Sequence, residues 1–224
     1  MPFAQRSEAH PLATRTVGEL ATGLPGATAV FRAHKLDFCC GGQVPLAEAA
    51  AAKGIPLELI TAELMALEPA PADHPEATAE LIPFILDRYH ATHRRELPEL
   101  VRLARRVEAV HRERADCPRG LADFLEGLEQ ALEGHMQKEE QILFPTMLAG
   151  GHPMIGMPVG VMRSEHDDHG RALAVLAKLT KDHTPPLDGC GTWRALYAGT
   201  RKLTDDVMAH VSLENNVLFP RFGA

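Results

Sequence analysis

Two stretches of this chain constrain its fold more than any other feature: HMQKEEQILFP, from His135 to Pro145, and HVSLENNVLFP, from His210 to Pro220. Both read H-x-x-x-E-x-x-(I/V)-L-F-P. A spacing of four residues puts the histidine and the glutamate on one helix face, one turn apart. Each pair continues a helical seam. The first seam runs Leu121, Leu125, Leu128, Leu132, His135, Glu139, Ile142, and the second runs Leu196, Thr200, Leu203, Val207, His210, Glu214, Val217. Steps of four and three are those of a helix face turned into a bundle. A histidine and a glutamate thus stand where leucines belong, twice. Burying a carboxylate with no counter-charge costs on the order of several kcal/mol, so the pattern calls for a cation.

A second repeat accompanies the first. YHATH carries His90 and His93, and EHDDH carries His166 and His169. Their stripes are Leu86, His90, His93, Leu97, Leu100 and Met162, His166, His169, Leu173, Leu176, so all four histidines are expected to face inward. His135 lies 45 residues beyond His90, and His210 lies 44 beyond His166. The spacing predicts two similar helix pairs around a paired metal centre. A lone inward histidine is usually a hydrogen-bonded core residue, but the doubled pattern outweighs that reading. Imidazole with carboxylate suits iron, zinc or manganese, and no thiolate lies on these faces. Two glutamates can each bridge two ions, which leaves coordination positions open, as in reactive metal sites. Ligand type and bundle architecture favour a pair of iron ions.

The remaining sequence predicts an all-helical protein. Ala, Leu and Glu are plentiful and aromatic residues make up only 5%, which disfavours strands. Residues 1–67 read as a small helical domain. Thr16 and Glu19 form a capping-box pattern, Pro25 suits the first turn of a second helix running to about Lys35, and Pro45 and Pro56 open two further helices. Residues 68–78, EPAPADHPEAT, read as a linker. Residues 79–224 read as a bundle with helices near 79–112, 119–148, 158–181 and 191–219; Pro98 and Pro145 are candidate kinks. The net charge of −7 argues against non-specific nucleic-acid binding, and the locally basic run Arg102–Arg114 reads as a solvated helix face. No segment has the length of a membrane span and no signal peptide is visible. Cysteines 39, 40, 117 and 190 do not form a spaced disulfide framework, so a cytoplasmic setting is expected. Adjacent Cys39 and Cys40 cannot easily bond to each other. One is expected to be reactive and one buried, with metal binding, transfer of iron or a nitrosyl fragment, redox sensing and plain core packing as the alternatives.

At LDFCCGG, RYHATHRRELPEL, HMQKEEQILFP, SEHDDHG and HVSLENNVLFP the chain resembles, over nearly its full length, the iron–sulfur cluster repair di-iron proteins called RIC, YtfE or ScdA; its bundle resembles a hemerythrin-like domain. The resemblance implies a hemerythrin-like four-helix bundle behind a small helical amino-terminal domain. It implies two irons held by His90, His135, His166 and His210, with Glu139 and Glu214 as bridging carboxylates. It also implies a role in restoring clusters damaged by nitric oxide or oxidants by supplying iron, and it favours a functional role for Cys39 and Cys40. The histidine at 169 departs from the family pattern. Expected partners are damaged iron–sulfur proteins or the cluster-assembly machinery, with nitric oxide or oxygen as small ligand; a homodimer is one possible assembly. Two other functions compete: reduction of nitric oxide at the centre, and an oxygen or nitric-oxide carrier or sensor. The amino-terminal cysteine domain favours repair over the carrier, which needs only a bundle.

Overall fold

A computed structural model describes residues 10–68 and 74–223. The chain divides into two compact units, Met1–Asp73 with Ser212–Val217, and His74–Val211 with Leu218–Ala224. Among the described residues there is no strand, only one isolated bridge between Thr16 and Pro45. None of the described helices is long and apolar enough to cross a membrane.

The first unit holds four short helices: α1 (Val17–Gly23), α2 (Ala27–Ala33), α3 (Leu46–Ala52) and α4 (Leu57–Met65). Thr16 caps α1 through its side chain, and Glu19 returns the bond to the Thr16 amide; the two bonds satisfy donors that a helix start leaves open. Pro45 and Pro56 stand at the caps of α3 and α4, whereas α2 starts two residues after Pro25, behind Gly26. Helices this short need packing, and they meet on Val17, Leu20, Phe31, Phe38, Leu46, Ile60 and Leu64, all buried. Residues 69–73 of the expected linker lie outside the described residues.

The bundle takes in the second unit and the chain through Ser212–Val217. Its first arm is α5 (Thr78–Ile85), a π-helical turn Leu86–His90 and α6 (Ala91–Val110); its second is α7 (Leu121–Lys138), a π-helical turn Glu139–Leu143 and α8 (Phe144–Leu148). The third arm is α9 (Gly156–Leu179). The fourth is α10 (Gly191–Leu213), which continues into the π-helical turn Glu214–Leu218 and a 3-10 turn Phe219–Phe222. Pro98 sits inside α6 without ending it. The basic run of this arm is paired on its surface: Arg105 with Asp123 and Glu126, and Arg114 with Asp116 and Asp188.

Two of the three wide turns have a local cause. Pro145 and Pro220 carry no N–H, and in an unbroken α-helix each ring would press on the carbonyl four residues back. The turn before Pro145 opens instead, and the Phe144 amide reaches back five residues to the Glu139 carbonyl. Each wide turn also shifts the seam by one position. Leu143 and Leu218 are buried, while Ile142, expected inward, is 61% exposed and Val217 is half-buried. In the first arm Ile85 is buried and Leu86 is not fully so. The third arm has no wide turn, and its stripe Met162, His166, His169, Leu173, Leu176 is buried throughout.

Candidate metal centre

The six residues singled out by the repeats come together as two overlapping clusters. His90, Glu139, His210 and Glu214 form one, and His135, Glu139, His166 and Glu214 form the other; in each, the donor atoms lie within 4.8 Å of one another. All six are buried, both glutamates completely. The pairing crosses the sequence repeat: the first arm meets the fourth, and the second meets the third. His90 Nε2 lies 3.1 Å from His210 Nε2, and His166 Nε2 lies 3.1 Å from His135 Nε2. Glu139 spans the clusters, with Oε2 at 3.4 Å from His90 Nε2 and Oε1 at 3.3 Å from His135 Nε2.

The outer nitrogens fix the inner ones. His90 Nδ1 lies 2.8 Å from Glu140 Oε1, and His135 Nδ1 lies 2.9 Å from Glu165 Oε2. Burial pushes both carboxyls up, but bonds from Arg94 and His90 to Glu140, and from Lys138 and His135 to Glu165, outweigh it. Both therefore sit below the usual carboxylate range. An ionised carboxylate only accepts, so each histidine donates from Nδ1 and turns a bare Nε2 inward, the tautomer that a metal ligand requires. The buried imidazole and carboxylate donor set fits a metal.

Three more side chains complete the surroundings. Tyr89 stacks on His210 with ring centroids 5.2 Å apart. His93 and His169 are buried, with ring centroids 5.6 Å from His210 and 4.8 Å from His135. Burial, helped by His210 for His93 and by His135 for His169, pulls each down to about 3. Neither belongs to a donor cluster. Sequence patterning singles out neither Glu140 nor Tyr89, and for Glu165 it offers only a place beside His166. The only signal for the two carboxylates was an acidic residue flanking a ligand position.

In the first unit, Cys39 is buried and Cys40 partly exposed, with Sγ atoms 3.7 Å apart. Asp37 Oδ1 accepts bonds from the amides of both cysteines and from the Cys39 thiol. The contact with Cys40, then burial, then the charge of Asp37 push the Cys39 thiol far up, and Cys40 is the more exposed of the two. The loop is fastened within its unit by Asn215 Nδ2 to the Cys39 carbonyl and Asn216 Nδ2 to the Phe38 carbonyl, each 3.0 Å. Gly42 allows this approach, because a Cβ there would stand 2.6 Å from Asn216 Oδ1. Cys117 is buried, and Cys190 lies 3.2 Å from His111 Nε2, remote in sequence from the clusters.

A buried histidine–glutamate centre in a four-helix bundle defines a class, and residues 82–222 match its family model, the hemerythrin HHE cation binding domain. Residues 13–68 match the ScdA_N domain, described as a domain of unknown function. The iron–sulfur cluster repair protein YtfE of Edwardsiella ictaluri is 48% identical over 211 residues, covering 92% of this chain and 96% of the relative. Those of Citrobacter koseri and Escherichia coli O157:H7 are each 48% identical over 208 residues, covering 92% of this chain and 94% of the relative. The chain belongs to the YtfE family of iron–sulfur cluster repair proteins.

Proposed function

We propose that the protein holds two iron ions through His90, His135, His166, His210, Glu139 and Glu214, and that it repairs iron–sulfur clusters damaged by nitrosative or oxidative stress by supplying iron. The observation that carries this reading is Glu139, a fully buried carboxylate that presents one oxygen to each imidazole pair. Buried charge of this kind is stable only with its partner in place, and a carboxylate with an oxygen in each cluster suits two ions rather than one. Imidazole and carboxylate donors with no thiolate among them suit iron. Bound, the pair supplies redox-active ions with positions open to a small ligand. Glu140 and Glu165 hold the imidazoles in their ligating tautomer, and the bundle keeps bulk water from the carboxylates. Iron is then also the cargo. Cys40, beside Asp37 and Cys39, is the thiol placed to pass iron or a nitrosyl fragment to a client, because thiolate exchanges ligands readily. The clients in this reading are damaged iron–sulfur proteins or the assembly machinery of the cytoplasm.

The test is anaerobic incubation of the iron-loaded protein with an iron–sulfur enzyme inactivated by nitric oxide. Recovery of enzyme activity, with matching loss of iron from the protein, is expected. The double variant Cys39→Ser, Cys40→Ser should bind iron as the parent does and repair more slowly. Nitrous oxide release without recovery would instead identify a nitric oxide reductase. A parent purified with stoichiometric zinc and no iron would overturn the metal assignment.

A further inference from the structure

The repeated stretch ends in L-F-P, and its two phenylalanines, Phe144 and Phe219, are both buried. Neither carries a donor atom for a metal, so the ligand set leaves their repetition unexplained. Each ring meets an imidazole of the donor set carried by another arm, but the two contacts differ. Phe144 is tilted by 31° against His90, with ring centroids 5.8 Å apart. Phe219 lies parallel to His166, at 3° and 5.9 Å. Tyr89 is likewise parallel to His210, at 6° and 5.2 Å.

Both parallel rings are held a second time. Arg163 Cζ lies 5.6 Å from the centre of the Phe219 ring, and Arg88 Cζ lies 4.9 Å from that of Tyr89. These distances are within reach of the attraction between a cation and an aromatic ring. Arg163 and His166 stand three residues apart on α9, hence on one face, and both meet the same phenylalanine. Arg88 is in turn fixed by Asp206 Oδ1 at 2.8 Å, and Phe84 meets Tyr89 edge-on at 6.1 Å and 86°.

An imidazole ligand has to keep its ring plane as well as its tautomer, because the Nε2 lone pair lies in that plane. For His90 and His135 the bonds from Nδ1 to Glu140 and Glu165 set the plane. A parallel ring sets it from the face. Turning the imidazole about its Cβ–Cγ bond would break the stack, and in a close-packed interior its edge would press into the neighbouring ring. Resting on the metal reading above, we infer that Phe219 and Tyr89 are positioning residues for the iron pair. Phe219 aims His166 and Tyr89 aims His210 by stacking, as Glu140 and Glu165 aim the other two by hydrogen bonds. Phe144, tilted against a histidine that Glu140 already aims, is core packing.

The test uses the full-length protein loaded with iron. Iron content and the Mössbauer spectrum of the parent are read first, and release of iron to a chelator is then timed in four variants. Phe219→Leu and Tyr89→Leu keep an apolar side chain and lose the stack. Each should start with two irons, release one of them about tenfold faster and the other at the parent rate, and alter one of the two iron environments in the spectrum. Tyr89→Phe keeps the stack and should match the parent in both readouts. Phe144→Leu makes the same truncation as Phe219→Leu at an equally buried site, so it carries the same loss of core packing; it should release iron as the parent does. Equal acceleration in Phe144→Leu or Tyr89→Phe would reduce the effect to general packing and overturn the inference. Parent-like release and spectra in both Phe219→Leu and Tyr89→Leu would overturn it too. Should Phe219→Leu fold poorly, the comparison of Tyr89→Leu with Tyr89→Phe decides. A parent without an iron pair would defeat the metal reading and this inference with it, whereas a parent with its pair and indifferent variants defeats the inference alone.

Discussion

The two halves of the centre have the same donors and different surroundings. Around His90 and His210 the support is dense: Glu140 takes a bond from His90 and two from Arg94, which also grips Glu133, and Tyr89 covers the His210 ring. Around His135 and His166 the support is thinner. Glu165 is held by one lysine, Phe219 stacks on His166 at 5.9 Å, and His169 looks onto a groove. Arg94 offers a planar fork that fixes a carboxylate in two directions, whereas Lys138 is a flexible point charge. Equal donors thus do not make equal surroundings: one half is braced by an arginine fork, the other by a single lysine.

The largest test removes what the halves share. Glu139→Leu and Glu214→Leu should each empty both halves, because each glutamate belongs to both clusters. Metal analysis should find the iron almost gone, with the far-ultraviolet circular dichroism of the parent. The metal-free variants should unfold at the same temperature as the metal-free parent or higher, since an apolar side chain replaces a buried carboxylate. Full retention of iron in either variant would break the shared-bridge account. A finer test separates the halves. Glu140→Gln and Glu165→Gln should each weaken iron binding by about 10- to 100-fold at one half only. In a chelator competition each variant should lose one iron early and one late. Identical one-step loss of both irons would mean that the halves do not differ in support.

The smallest effect is a control remote from both halves. His183 is buried after α9, between Thr180 and Thr200, and burial, then the nearby Arg201, pulls it down to about 4. The unfolded chain takes up this proton near the ordinary value of 6.5, before the folded chain does. Its contribution to stability is therefore complete above about pH 6.5 and declines as the pH falls toward 4. Urea unfolding of the metal-free protein across that range should show a slope to which buried His93 and His169 also contribute, and His183→Gln should reduce it without abolishing it and without changing iron binding at neutral pH. A parent-like slope in the variant would assign the protonation to other groups.

Much of this was legible in the sequence, and the exceptions share one origin. The stripe of α9 could be read position by position, because a regular helix carries a regular seam. Ile142, Val217 and Leu86 were misplaced because spacing assumes a uniform turn, and each lies in a wide one. Pro145 was a visible warning of a break, but a proline can either end a helix or open the turn before it, and spacing alone does not say which. The six convergent residues stood out because they violate an apolar seam. Glu140 did not, because a glutamate on the outer face of a helix looks like any solvated one until its partner on another arm is known. The cross-pairing of arms was likewise hidden, since the repeat groups His90 with His135 along the chain while space groups it with His210.

The wide turns have a consequence for helical phase. The two that begin at Glu139 and Glu214 each insert a single residue's worth of rotation, roughly 100°, between the cluster-facing part of an arm and its end. Upstream of the insertion the arm keeps the phase that aims His135 and Glu139, or His210 and Glu214, at one point. Downstream it has been reset, so that Leu143 and Phe144, or Leu218 and Phe219, close the apolar end of the bundle. The two tasks are thereby set independently within one continuous rod. The third arm, α9, has no insertion and keeps a single phase throughout its length.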